Sequence, residues 1–184
     1  MSRIARCIMA VGILGILASC TTTGIPDGVK AVEGFDAERY LGTWYEIARL
    51  DHSFERGLSN VSATYTARKD GGIDVVNRGY ERKTGEWRQS EGRAYFIEDR
   101  DRGCLKVSFF RPFYGAYNII ALDKGEYGFA LVCGPTRSYL WILARGRRLD
   151  NAVLASLVGR AREFGFDTDA LIYTEQNCVP RETP

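Results

Sequence analysis

Between residues 43 and 144, turn residues cut the chain at near-regular spacing into eight short runs rich in β-branched and aromatic residues. The runs are Thr43 to Leu50, Val61 to Lys69, Ile73 to Arg82, Trp87 to Ile97, Cys104 to Phe110, Tyr117 to Leu122, Tyr127 to Cys133 and Tyr139 to Ala144. Asp70-Gly71-Gly72, Lys83-Thr84-Gly85-Glu86, Asp123-Lys124-Gly125-Glu126 and Gly134-Pro135 punctuate them, and such clusters mark hairpins. Eight strands at this spacing predict a sandwich or a barrel. Short connections favour an up-and-down order, and closing the sheet removes its vulnerable edges. The expected fold is all-β: an eight-stranded antiparallel up-and-down β-barrel.

Past residue 149 the period changes. Val153, Leu154, Leu157, Val158, Ala161 and Phe164 recur at helical steps. Asp150 suits the N-cap and Gly165 the left-handed position after the last turn. This one C-terminal helix needs an apolar partner outside the barrel. The seventh and eighth runs, apolar on both parities, supply it, as strands covered on both faces do. Leu171-Ile172-Tyr173 reads as a short ninth strand.

The N-terminus is an address. Arg3 and Arg6 precede an apolar run from Ile8 to Ala18, long enough for a signal peptide and too short to span a bilayer. Leu17-Ala18-Ser19-Cys20 resembles the bacterial lipobox, which implies that Cys20 is lipidated and becomes the mature first residue. Thr21, in place of an Asp, implies outer-membrane sorting. The expected division is 1–19 signal peptide, 20–34 lipidated N-terminus and tether, 35–184 barrel domain, and 184 residues suit one such domain. Of 25 Lys and Arg, two leave with the leader, so 23 basic residues face 23 acidic ones. A nucleic-acid binder usually carries a basic surplus, and none is expected as a partner.

Three motifs in order carry a family resemblance. Gly42-Thr43-Trp44-Tyr45 resembles the Gly-x-Trp signature that opens the first lipocalin strand. Tyr117 to Asp123 is similar to the second lipocalin motif, although the family's Thr-Asp-Tyr triplet is not reproduced. Arg145 resembles the Arg of the third. Gly42 to Leu50, Gln89 to Tyr95, Lys106 to Asp123 and Ala130 to Arg145 further resemble the outer-membrane lipoproteins within that family. The resemblance implies a barrel able to hold one small ligand.

Strand alternation places the motifs. If Trp44 marks the bottom, even-numbered strands run downward, so Gly42, Trp44, Asp123 and Arg145 meet there as the barrel-closing set. Arg145 over the Trp44 indole is an expected cation–π contact. The opposite loops, with Pro112, Phe113 and Tyr114, form the rim, whose rings suit a membrane surface or a second subunit; a homodimer is thus one open partner. Period two chooses the cavity lining: Glu46 and Ala48 from the first strand, Val61, Ala63 and Tyr65 from the second, Leu105, Val107 and Phe109 from the fifth. Tyr117 and Ile119 follow from the sixth, whose other parity is equally apolar, and Tyr139, Trp141 and Leu143 from the eighth. Cys104 falls outward and Cys178 lies in the tail. A Cys104–Cys178 bridge is expected, with Cys133 left as a thiol.

No catalytic constellation, cofactor or metal is expected. His52, the one histidine, reads as a solvated loop residue, since triad members converge in space and not in sequence. The leading expectation is a binding protein for one amphipathic lipid, a fatty acid or lysophospholipid, stored or transported for envelope maintenance. The alternatives are a lipocalin-fold enzyme acting on a lipid or pigment, and a structural envelope protein with an idle barrel.

Overall fold

The computed structural model describes residues 23–97 and 99–176. A short helix α1 (Ala37–Tyr40) leads into β1 (Gly42–Arg49), β2 (Leu58–Ala67), β3 (Ile73–Glu81), β4 (Glu86–Phe96), β5 (Cys104–Phe110), β6 (Phe113–Leu122), β7 (Phe129–Cys133) and β8 (Leu140–Ala144). Helix α2 (Asn151–Glu163) and β9 (Ile172–Tyr173) complete the chain. Each of β2 to β7 pairs antiparallel with the next, and β1 pairs with both β8 and β2. The result is a closed eight-stranded antiparallel barrel with one outer helix and one extra strand.

The last closure is made in two parts. At the bottom, Gly42 to Tyr45 pair directly with Tyr65 to Ser62. Higher up the two strands part, and the C-terminal segment fills the seam. Tyr173 and Ile172 pair with Ala48 and Arg49. Asn60 N donates to Glu175 O at 2.7 Å, and Gln176 Nε2 donates to both Glu46 O and Val61 O at 2.8 Å. These bonds satisfy backbone carbonyls that the split seam would otherwise bury unpaired.

Two apolar cores share the wall. Inside, Trp44, Tyr65, Val75, Leu105, Ala130 and Leu143 pack together. Outside, Leu131 and Cys133 of β7 and Leu140, Ile142 and Ala144 of β8 meet Leu157 and Ala161 of α2. Asp150 caps that helix, accepting from Ala152 N and Val153 N. Gly165 sits at φ +79°.

Several expectations need correcting. A β-bulge between Glu46 and Ala48 inserts Ile47 into β1. One extra residue reverses alternation beyond it. Ala48 therefore joins the outer core with Ile47 and does not face the cavity; Arg49 returns to the side of Glu46, 3.1 Å from its carboxylate. A second bulge, between Ile119 and Ala121, keeps Ile119 inside and turns Ile120 and Ala121 outward. The expected rim loop 111–116 is a two-residue turn, because β6 starts at Phe113, opposite Phe110. The expected tether is packed along its later part: Val29 and Ala31 are buried, Val32 exchanges backbone bonds with Gly103 and Ile119, and Phe35 N donates to Asp101 O.

Candidate functional site

The closed end is built around one indole. Trp44 is fully buried, and its Nε1 donates to Tyr40 O at 2.8 Å. The Arg145 guanidinium carbon lies 4.1 Å from the ring centroid. Its nitrogens donate to Arg39 O at 2.7 Å, Thr43 O at 3.1 Å and Tyr127 O at 3.3 Å. Gly42 has φ +92°, and a Cβ there would stand 3.3 Å from Arg145 Nη1, so the position disfavours a side chain on both counts. Asp123 accepts from Gly125 N, Glu126 N and Gly128 N. It thereby ties the β6–β7 turn that presents Tyr127, whose hydroxyl accepts from Asp36 N at 2.9 Å.

Above this floor is an apolar chamber of about 100 Å³ that opens into a mouth basin of about 660 Å³. On this measure one water needs roughly 10–15 Å³, so the chamber has room for atoms of a guest. Val61, Ala63, Tyr65, Leu105, Val107, Tyr117, Leu143 and Glu46 line it, and Trp141 and Phe109 line both chamber and basin. Tyr139 lines the basin alone. Ile119 is fully buried in the inner core but does not line the space. The lining also includes Tyr40, Phe54, Glu55, Ile73, Val75, Asn77, Ala94 and Ala116, none of them singled out from sequence. Ile73, Val75 and Asn77 alternate along β3 and were open to the same period-two rule. Tyr40 and Glu55 lie outside the long strands, where no periodicity speaks.

Polar groups stand at two levels. Near the floor, the Tyr117 hydroxyl lies 2.8 Å from those of both Tyr40 and Tyr65. Burial pushes all three phenols above their ordinary range. Near the mouth, Glu46 and Glu55 face the chamber. Burial, and then repulsion from Glu55, push the Glu46 carboxyl up to about 8 against the pull of Arg49. Burial also acts to raise Glu55. Hydrogen bonding and charge from His52, and a bond from Trp141 Nε1 at 3.0 Å, outweigh it and hold Glu55 below the usual carboxylate range. The arrangement keeps one proton on the pair, since two adjacent buried carboxylates resist ionising together.

His52 is not the solvated loop residue expected. It is buried, its Nε2 is 3.0 Å from Glu55 Oε2, and its ring stacks on Phe54 with centroids 4.0 Å apart. Loop 50–57 folds back over the mouth, and its aromatic neighbours Tyr139 and Trp141 exclude water from the imidazole. Cys104 is buried on β5 opposite Asn118, whose other neighbour in register is Cys133. Cys20 and Cys178 lie outside the described residues.

A closed barrel with an apolar chamber, sealed at one end by Trp44 beneath Arg145, defines a lipocalin-type ligand-binding protein. Residues 35–176 match the family model described as a lipocalin-like domain, and the chain belongs to that family. It is 53% identical over 161 residues to outer membrane lipoprotein Blc of Escherichia coli K12, covering 88% of this chain and 90% of that one. The protein of the same name from Vibrio cholerae is 52% identical over 153 residues, 83% and 90% of the two chains. Temperature-induced lipocalin-1 of Arabidopsis thaliana is 35% identical over 164 residues, 84% and 87%. Among solved structures, insecticyanin of the tobacco hornworm Manduca sexta matches with a TM-score of 0.66 at 19% identity, covering 83% and 86%; this likeness concerns the fold. The bacterial relatives place the chain at the outer membrane as a lipoprotein.

Proposed function

We propose that this chain is a carrier that holds one amphipathic lipid, a fatty acid or a lysophospholipid, with its tail in the chamber and its head at the mouth. Cys20 serves as the acylated anchor, and storage or transport of the lipid serves envelope maintenance. The observation that carries this reading is the contrast within one continuous space. Its depth is walled by Val61, Ile73, Val75, Leu105, Val107 and Leu143, whereas the charged side chains are Glu46 and Glu55 in the chamber and Arg78 and Arg88 in the basin. An acyl chain gains about 25 cal/mol per Å² of apolar surface it buries there, less the cost of ordering it.

The Tyr40–Tyr117–Tyr65 cluster supports the reading further. It gives each hydroxyl a hydrogen-bond partner at the floor, which lowers the cost of holding polar groups beside an apolar tail. A catalytic reading finds less support, since His52 is committed to Glu55 and to the rings around it. Native mass spectrometry of delipidated protein with lysophosphatidylethanolamine and with palmitate tests the proposal. One bound lipid per chain supports it; the absence of any adduct with either class overturns it.

A further inference from the structure

Among the described residues, four exposed phenylalanines gather around the cavity mouth. Phe54, Phe109, Phe110 and Phe113 are 58%, 40%, 79% and 72% exposed, and all four line the basin. Four phenyl rings facing water at one rim are a cost unless something covers them. The charges lining this basin are Arg78 and Arg88, with Glu55 buried beneath; Arg88 also meets Glu81 at 3.1 Å, and the exposed Arg111 sits on the turn between Phe110 and Phe113. Rings flanked by guanidinium groups suit an interface of acyl chains under phosphates, where apolar burial and attraction to anionic lipid act together.

The path of the N-terminal segment says which surface that is. Gly24 O accepts from Asn118 Nδ2 at 3.0 Å, and Asp27 O accepts from Arg137 Nη2 at 2.6 Å. Arg137 belongs to the β7–β8 loop, whose Gly134 and Pro135 line the mouth basin. From there the chain descends the outer wall to Phe35, beside Asp101 at the closed end. Its upstream end therefore leaves the barrel on the side of the opening. Cys20 stands four residues before Gly24, and four residues reach at most about 14 Å in any conformation. Asn118 Nδ2 also reaches Gly134 O, so a lipid on Cys20 keeps the Gly134 side of the mouth near the membrane.

We infer that the open end of the barrel is a docking surface for the bilayer that anchors the chain: the Phe rim seats among the lipid headgroups, and the cavity opens into the membrane surface. The inference deepens the carrier reading and rests on it for what passes through the mouth. The seating itself is a separate property. It gives a lipid a route between leaflet and chamber in which its tail does not cross water.

Full-length acylated protein reconstituted in phosphatidylethanolamine–phosphatidylglycerol vesicles, with acyl chains brominated near the headgroup, tests the orientation. Phe113→Trp places an indole on the rim, and Ile97→Trp places one at the opposite end, where Ile97 is 41% exposed; both sites face solvent, so the fold is not at risk. The expected result is a roughly twofold loss of the added emission for Phe113→Trp, whose ring reaches the acyl boundary, and none for Ile97→Trp. Equal quenching of the two, quenching of Ile97→Trp alone, or quenching of neither overturns the docking. An unquenched Phe113→Trp together with a dimer that Phe110→Asp converts to monomer assigns the rim to a second copy of this chain, which also overturns it. Lipid adducts in the mass spectrum of a protein whose rim stays unquenched leave the carrier reading standing alone; a quenched rim without adducts leaves the docking standing alone.

Discussion

Arg145 lies over the face of Trp44, its guanidinium carbon 4.1 Å from the indole centroid, while its three nitrogens hold the carbonyls of Arg39, Thr43 and Tyr127. One side chain thus joins α1, β1 and the β6–β7 turn. Arg145→Ala removes the cation–π contact and all three bonds, and is expected to cost about 2–3 kcal/mol. Arg145→Lys is expected to recover less than half of this, because an ammonium cannot reproduce the planar fork. Urea unfolding with an unchanged slope and a lowered midpoint checks both.

Glu46 gives a pH signature. Its folded carboxyl is raised to about 8 by burial and by Glu55, whereas the unfolded side chain titrates near its ordinary value. The unfolded state thus releases its proton first. The contribution of this group is fully present at low pH, declines as pH rises through the unfolded value, and levels off above about 8. Glu46→Gln keeps a donor toward Glu55 and an acceptor for Arg49 without the ionisation. Between pH 5 and 9 the variant is expected to gain on the order of 2 kcal/mol relative to wild type. Parallel stability curves for the two proteins across that range would refute this.

Trp141 lines both chamber and basin and donates to Glu55. Trp141→Ala is expected to weaken lysophospholipid binding by about tenfold, the loss of roughly 1–2 kcal/mol of apolar contact. In the carrier, Trp141 emission should also change on titration with lipid. Val75→Phe instead fills the chamber from β3. It should abolish binding of long acyl chains while lowering stability by no more than about 1–3 kcal/mol, as read by titration and by urea unfolding.

Cys133 is fully buried under α2, and burial pushes its thiol up to about 12. Its thiolate fraction at neutral pH is negligible, so native protein is expected to leave it unalkylated by iodoacetamide, with reaction after unfolding. The proposed Cys104–Cys178 bridge accompanies this expectation. Non-reducing peptide mapping that finds Cys133 in a disulfide contradicts both.

The regular part of this molecule is legible in its sequence. Turn clusters at 70–72, 83–86 and 123–126 place the hairpins, and the parity of β2, β5 and β8 picks Ala63, Leu105 and Leu143 as inward. The contact between Trp44 and Arg145 follows from strand order together with the motif resemblance that picks out the two residues. Alternation fails where backbone irregularity resets it. The bulge at Ile47 puts two consecutive residues, Ile47 and Ala48, on the outer face, so Arg49 comes back toward Glu46.

 The burial of His52 was equally hidden. Its immediate neighbours in sequence are polar, and the rings that cover it, Tyr139 and Trp141, come from β8 and its approach, distant in sequence although paired beside β1. Long-range contacts of this kind leave no local pattern.

The two-part closure between β1 and β2 bears on how the chain is made. The upper slot in the wall is filled by residues 172–176, which follow all eight barrel strands in the chain. A chain emerging from its N-terminus can pair β2 through β8 and lay β1 beside them, yet it still has a gap beside Glu46 and Val61. The wall beside Glu46 and Val61 is therefore complete only once residues 172–176 have docked, which makes the final closure of the barrel the work of a segment that lies beyond the outer helix in the chain.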